Sequence, residues 1–140
     1  MPVTGTKPKP EGQAVHRNKP AFEWTEVPDV PFTDGPRLPF RTPNGDRWPD
    51  WTRKWWTAIS RLPQCALWNE GDWQYAMDTA VVAATFHSTT SMAAAAELRN
   101  REKILGTTMD ARRDLRIRYV PAVAPPTTEG VTLLDNYRDL

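Results

Sequence analysis

Apolar residues recur with helical spacing only from Trp48 onward. Trp48, Trp51, Trp55, Trp56, Ala58, Ile59 and Leu62 fall on one side of a helix of 3.6 residues per turn, with Arg53, Lys54, Thr57, Ser60 and Arg61 opposite. The pattern predicts an amphipathic helix over 49–62, opened by Pro49 and stopped by Pro63. A second helix is expected over 70–88, with Asn69 as N-cap and Glu70 and Asp72 in the first turn. Its polar stripe is only Gln74, Asp78 and Thr85, and the rest of its surface is apolar or small. Such a helix must be covered on two sides. Four short helices do that poorly within one small core. The pattern therefore implies a homo-oligomer whose interface includes Trp73, Tyr75, Met77, Ala80, Val82 and Phe86.

The run Ala93 to Ala96 favours a third helix over 90–105, with Glu97 and Arg101 paired four residues apart and Gly106 suited to the position after its end. Thr108 is a natural N-cap for a fourth helix over 109–119, whose stripe is Ala111, Leu115 and Tyr119. The expected fold is all-α: about four helices in a core over 48–120. Residues 1–47 have neither helical nor strand periodicity and read as a disordered or extended Pro-rich arm. Its isolated aromatics, Phe22, Trp24, Phe32 and Phe40, either dock on the core as a strap or belong to a free linker. Residues 121–140, opened by Pro121 and carrying Pro125 and Pro126, read as a flexible tail.

Composition sharpens this division. Ten of the 14 prolines precede residue 50. One cysteine, Cys65, excludes a disulfide scaffold and a Cys-rich zinc site. There is no membrane-length apolar run and no secretory leader, so the expected compartment is cytoplasmic. The formal charge is +1, from 18 basic and 17 acidic residues, but it is a cancellation of blocks. Residues 1–20, 37–61 and 98–120 are net basic, and the stretches between and after them are net acidic.

Catalysis has little to work with. His16 lies in the arm, and His87 lies on an apolar helix face where a hydrogen-bonded structural role fits best. No phosphate loop, dinucleotide fingerprint, zinc-protease helix or nucleophile elbow is present, and no cofactor or metal is expected. Phosphate contacts are the better-supported chemistry, at three candidate surfaces. One is the arm, with Lys7, Lys9, Arg17 and Lys19, which is either phosphate glue or a solubilising tail. The second is the outer face of the first helix, with Arg53, Lys54 and Arg61, otherwise an ordinary solvated face. The third is the last helix, with Arg112, Arg113 and Arg116, and with Arg118 pointing elsewhere. There the Leu105-Gly106-Thr107-Thr108 turn suits a helix-turn-helix or a plain Gly-capped corner. In an oligomer, symmetry repeats each modest patch, so a near-neutral subunit can still hold DNA.

Three stretches together resemble a known family. They are Trp48-Pro49-Asp50-Trp51-Thr52-Arg53-Lys54-Trp55-Trp56 with Ser60-Arg61-Leu62-Pro63-Gln64; Gly71-Asp72-Trp73 with Met77-Asp78-Thr79-Ala80; and Glu97-Leu98-Arg99 through Thr108 with Arg112 and Leu115-Arg116-Ile117. Their order and spacing resemble small terminase subunits of actinobacterial tailed phages, over about residues 48–118. The resemblance implies a non-enzymatic, ring-forming packaging factor that acts in the host cytoplasm during virion assembly. It would bind the packaging site on double-stranded viral DNA and recruit and regulate the large terminase subunit. Leu133, Leu134 and Tyr137 in the tail are the expected docking segment for that subunit. Two other classes fit a small helical chain of this kind: a head–tail connector, and a monomeric or dimeric helix-turn-helix regulator.

Overall fold

Local capping chemistry sets most of the helix boundaries. In the computed structural model, which describes residues 23–122, Pro49 and Asp50 open helix α1 (Asp50–Ile59). Its last turn tightens, with Arg61 N–H reaching Ala58 O and Leu62 N–H reaching Ile59 O, and Pro63 starts a 3₁₀ turn over Pro63–Leu67. Helix α2 (Glu70–Thr89) begins with a capping box. Asn69 Oδ1 accepts from Asp72 N–H, and Asp72 Oδ2 accepts from Asn69 N–H, both at 3.0 Å. Thr90, at a φ of 53°, ends α2, and Ser91 caps helix α3 (Met92–Leu105). Gly106 takes the left-handed conformation after α3, at a φ of 74°. Thr108 Oγ1 accepts from Ala111 N–H to start helix α4 (Met109–Asp114). The Glu97–Arg101 pair forms at 2.8 Å.

Beyond Asp114 the structure departs from the expected all-α fold. Arg116 adopts a φ of 59°, which breaks the helix, and Ile117–Val120 continue as strand β2. The run Ile-Arg-Tyr-Val suits an extended, half-buried strand better than a helix. Its partner is strand β1 (Thr25–Pro28), which pairs with it in parallel from Thr25 beside Ile117 to Pro28 beside Val120. Parallel strands need a long crossover, and here the crossover contains the strap and all four helices. The fold is thus four helices with a small two-stranded parallel sheet.

The arm over 1–47 is expected from sequence to be disordered or extended, with its aromatics either docked as a strap or free. Residues 1–22 lie outside the described residues. Residues 23–47 are largely extended and non-helical, and much of this segment is tied to the helical body. Trp56 Nε1 donates to Pro36 O at 3.1 Å and Trp48 Nε1 to Pro39 O at 2.8 Å. Phe32 N–H donates to Arg61 O at 3.0 Å, and the Phe32 ring stacks on Trp73 with centroids 5.9 Å apart. Gly35 is required at this crossing, because a Cβ there would come within 3.0 Å of the Trp73 ring and 3.1 Å of Ser60 O.

The core is centred on Trp48, Trp56, Ile59, Ala76, Ala80, Ala84 and Leu105. The buried face of α1 is Thr52, Trp56 and Ile59, rotated from the expected one, and Trp51 is left 70% exposed. A hydrogen bond accompanies the rotation. Thr52 Oγ1 lies 2.8 Å from His87 Nδ1, so the hydroxyl is satisfied inside the α1–α2 contact. Alanines at 76, 80, 83 and 84 line the inner face of α2 and let its neighbours approach closely. Helix α3 packs along α2 as a hairpin, α1 lies against α2, and the strap covers Trp73. The chain itself covers the alanine face of α2 and, through the strap, Trp73, whereas Tyr75, Met77, Val82 and Phe86 stay half-buried.

Candidate nucleic-acid interface

Two arginine-bearing surfaces stand out, built in different ways. The first is a cleft between the strap and the outer face of α1, about 760 Å³ in volume. The strap contributes Arg37, α1 contributes Arg53, and the turn after α1 contributes Arg61. Thr33, Thr57 and Ser60 line the same space, Trp48 and Trp56 lie beneath it, and no acidic residue is part of the lining. The three ion pairs among the described residues are Arg47–Asp50, Arg101–Glu97 and Arg118–Glu26, so none engages Arg37, Arg53 or Arg61. Phe40 stands 84% exposed at the rim, with the Arg41 guanidinium 5.0 Å from its ring centroid. Lys54, expected to join Arg53 and Arg61, is turned away and sits 5.6 Å over the Trp51 ring.

The second surface follows α3. Arg112 Nη1 donates to Gly106 O and Thr107 O, both at 3.1 Å, and the guanidinium lies 4.7 Å over the Tyr119 ring. Gln64 reaches the same corner, its Nε2 donating to Leu105 O at 3.1 Å and Gly106 O at 2.8 Å. The Tyr119 hydroxyl donates to Gln64 Oε1. These bonds satisfy carbonyls that a helix C-terminus leaves open. Arg116 and Arg118 flank Trp24, 5.7 and 4.7 Å from its ring centroid, and Arg118 also pairs with Glu26 at 3.9 Å. Arg113 is exposed beside them. The six residues of α4 make a short Gly-capped corner rather than a long recognition helix.

Burial tunes three groups around these surfaces. It lowers the His87 pKa below its usual value, with Glu102 pulling the other way. Burial raises the Tyr119 pKa, against the lowering effect of Arg112. It pushes the Cys65 thiol up to about 12, so the thiol stays protonated while its Sγ donates to Ile59 O. His87 thus takes the structural role expected of it, and Cys65 packs as a small buried side chain.

A family model described as phage terminase small subunit matches residues 3–140. The chain belongs to that family. No curated protein and no solved structure matches it. As a terminase small subunit it takes part in packaging the viral genome of a bacteriophage. Among the described residues no helix is long and apolar enough to cross a membrane.

The remaining expected site residues of this terminase small subunit divide in three. Ala80 is fully buried and Trp73 is enclosed by Phe32, Trp56 and Trp68, so both serve the core of the chain itself. Tyr75, Met77, Val82 and Phe86 are half-buried on α2, with Arg101 over Tyr75. Lys7, Lys9, Arg17 and Lys19 in the arm, and Leu133, Leu134 and Tyr137 in the tail, lie outside the described residues. Sequence reasoning missed Arg37 as a partner of Arg53 and Arg61, and missed Gln64 as the hub of the α3–α4 corner. The signal for Arg37 was the aromatic residues of the strap, which pin that segment beside α1.

Proposed function

We propose that this terminase small subunit is a non-catalytic DNA-recognition factor. It holds double-stranded viral DNA by arginine and lysine contacts to phosphates and presents it to the large terminase subunit, which supplies the ATPase and nuclease. It acts in the host cytoplasm while virions assemble, as a ring of identical subunits. The family match over residues 3–140 carries this reading. The arginines of the strap–α1 cleft, which enter no ion pair among the described residues, together with Arg113, Arg116 and Arg118 near β2, give it a chemical basis. The half-buried Tyr75, Met77, Val82 and Phe86 are the interface candidates left on α2. Leu133, Leu134 and Tyr137 are the candidates for engaging the large subunit.

The deciding measurement is fluorescence anisotropy of labelled duplex DNA with the full chain across a salt series. Binding at low salt that weakens linearly in log K against log salt is expected. No binding at low salt would remove the DNA role. Analytical ultracentrifugation tests the ring separately, and a monomer at working concentrations would remove that part.

A further inference from the structure

We propose that the strap–α1 cleft is a seat for one strand of the DNA backbone, a sequence-independent phosphate contact that Arg37 completes. This rests on the DNA-binding reading above and says where on the chain the phosphates go.

The lining side chains select the ligand. Three guanidinium groups and the hydroxyls of Thr33 and Ser60 face the cleft as hydrogen-bond donors, the Thr57 hydroxyl donates to Arg53 O, and no carboxylate or amide side chain joins them. The oxygens of a phosphodiester strand accept hydrogen bonds and carry the charge, so donors meet acceptors throughout. An acidic peptide fits less well, because its backbone N–H groups need acceptors. Two strap carbonyls, those of Pro36 and Pro39, are already taken by the Trp56 and Trp48 indoles. Nothing in the lining has the amide or carboxylate character often used to read adenine or cytosine edges, and arginine serves phosphates as well as guanine edges. The contact is assigned to the backbone, and a guanine-specific contact is the outcome that duplexes of unrelated sequence would reveal.

Placement supports a strand over a single anion. Arg53 stands on α1 and Arg61 in the turn beyond its last residue, Ile59, so the two line the cleft at separate points. Arg37 faces them from the other wall. The cleft is far too small to enclose a duplex, which would lie across it with one strand seated.

The wall that carries Arg37 depends on the strap, and the strap depends on Gly35 and on two indole bonds. The cleft therefore exists only while the strap is docked.

The test uses the full chain, duplexes of several unrelated sequences, and a salt series. Arg37→Ala, Arg53→Ala and Arg61→Ala are each expected to weaken every duplex alike, by about threefold to tenfold, and to reduce the salt slope by about one. Circular dichroism confirms that each variant folds. Arg53→Lys, which keeps the charge, is expected to restore most of the salt slope. If the folded triple variant binds with wild-type affinity and slope, the cleft is not the seat, while the DNA-binding reading stands. If the wild type binds no duplex at low salt, both fall. A loss confined to one duplex sequence overturns the backbone assignment. So does a triple variant that loses an oligo-glutamate peptide and keeps DNA.

Discussion

Arg112 and Arg53 belong to basic clusters of similar size, and they differ in what their guanidinium groups touch. Arg112 is spent on the fold: it closes the Gly106 and Thr107 carbonyls and lies over Tyr119. Arg53 lines a cleft beside Arg37 and Arg61 and enters no ion pair among the described residues. The charge is the same, but in one region it holds two elements together and in the other it is left to meet a ligand. Counting cations along the chain ranks the last helix and the first helix equally. Hydrogen-bond partners separate them.

The sharpest way to break the contrast is at the corner. Gln64 is buried and bonded at both ends of its amide. Gln64→Leu would strand the Leu105 carbonyl and the Tyr119 hydroxyl and leave Gly106 O to Arg112 alone, at a cost of about 3 kcal/mol. Urea unfolding is expected to show that loss; a change under about 1 kcal/mol would mean that the corner relaxes freely.

Arg112→Ala comes next, at about 2 kcal/mol, because it removes charge-assisted bonds to two carbonyls. Arg53→Ala is expected to shift stability by less than about 0.5 kcal/mol, as a surface change without partners does. Equal losses in the two variants would erase the distinction between them.

Much of the helical framework is legible in the sequence because its determinants are local. Asn69 with Asp72, Thr108 with Ala111, and Gly106 after Leu105 are motifs read within four residues. The strap is not legible that way. Its anchors are the carbonyls of Pro36 and Pro39, met by indoles at Trp56 and Trp48, and a backbone carbonyl has no signature in the sequence. The same blindness extended helix four to residue 119, since the strand that claims Ile117–Val120 lies about ninety residues earlier. The helix wheel likewise groups Arg112 with Arg113 and Arg116, because it shows where a side chain points and not the carbonyls and ring it reaches.

The smallest expected effect is in pH. His87 has its pKa lowered in the folded state, so the unfolded chain binds its proton more readily. Stability is then retained above the usual His value near 6.5 and falls as pH drops through the window below it. The Thr52–His87 contact that seats α1 should loosen on acidification. Tyr119, raised from its usual value near 10, acts at the other extreme, and the corner should weaken only as pH rises past that value. Chemical denaturation of His87→Gln across pH 5 to 8 is expected to show a flatter acid limb than the wild type. An unchanged limb would remove His87 as its cause.

The parallel ribbon has a mechanical consequence. Both strands run the same way, so the chain enters the pair at the Thr25 end of β1 and leaves it at the Val120 end of β2. Tension between the segment before Thr25 and the segment after Val120 slides the strands lengthwise past each other. Loaded in shear, the cross-strand bonds share the force, from Thr25 N–H to Arg116 O at 2.7 Å through Asp29 N–H to Val120 O at 2.8 Å. They must yield together instead of one at a time. A pull passed from arm to tail is therefore borne by eight residues of ribbon, and the four helices looped between them stay unloaded until it gives way.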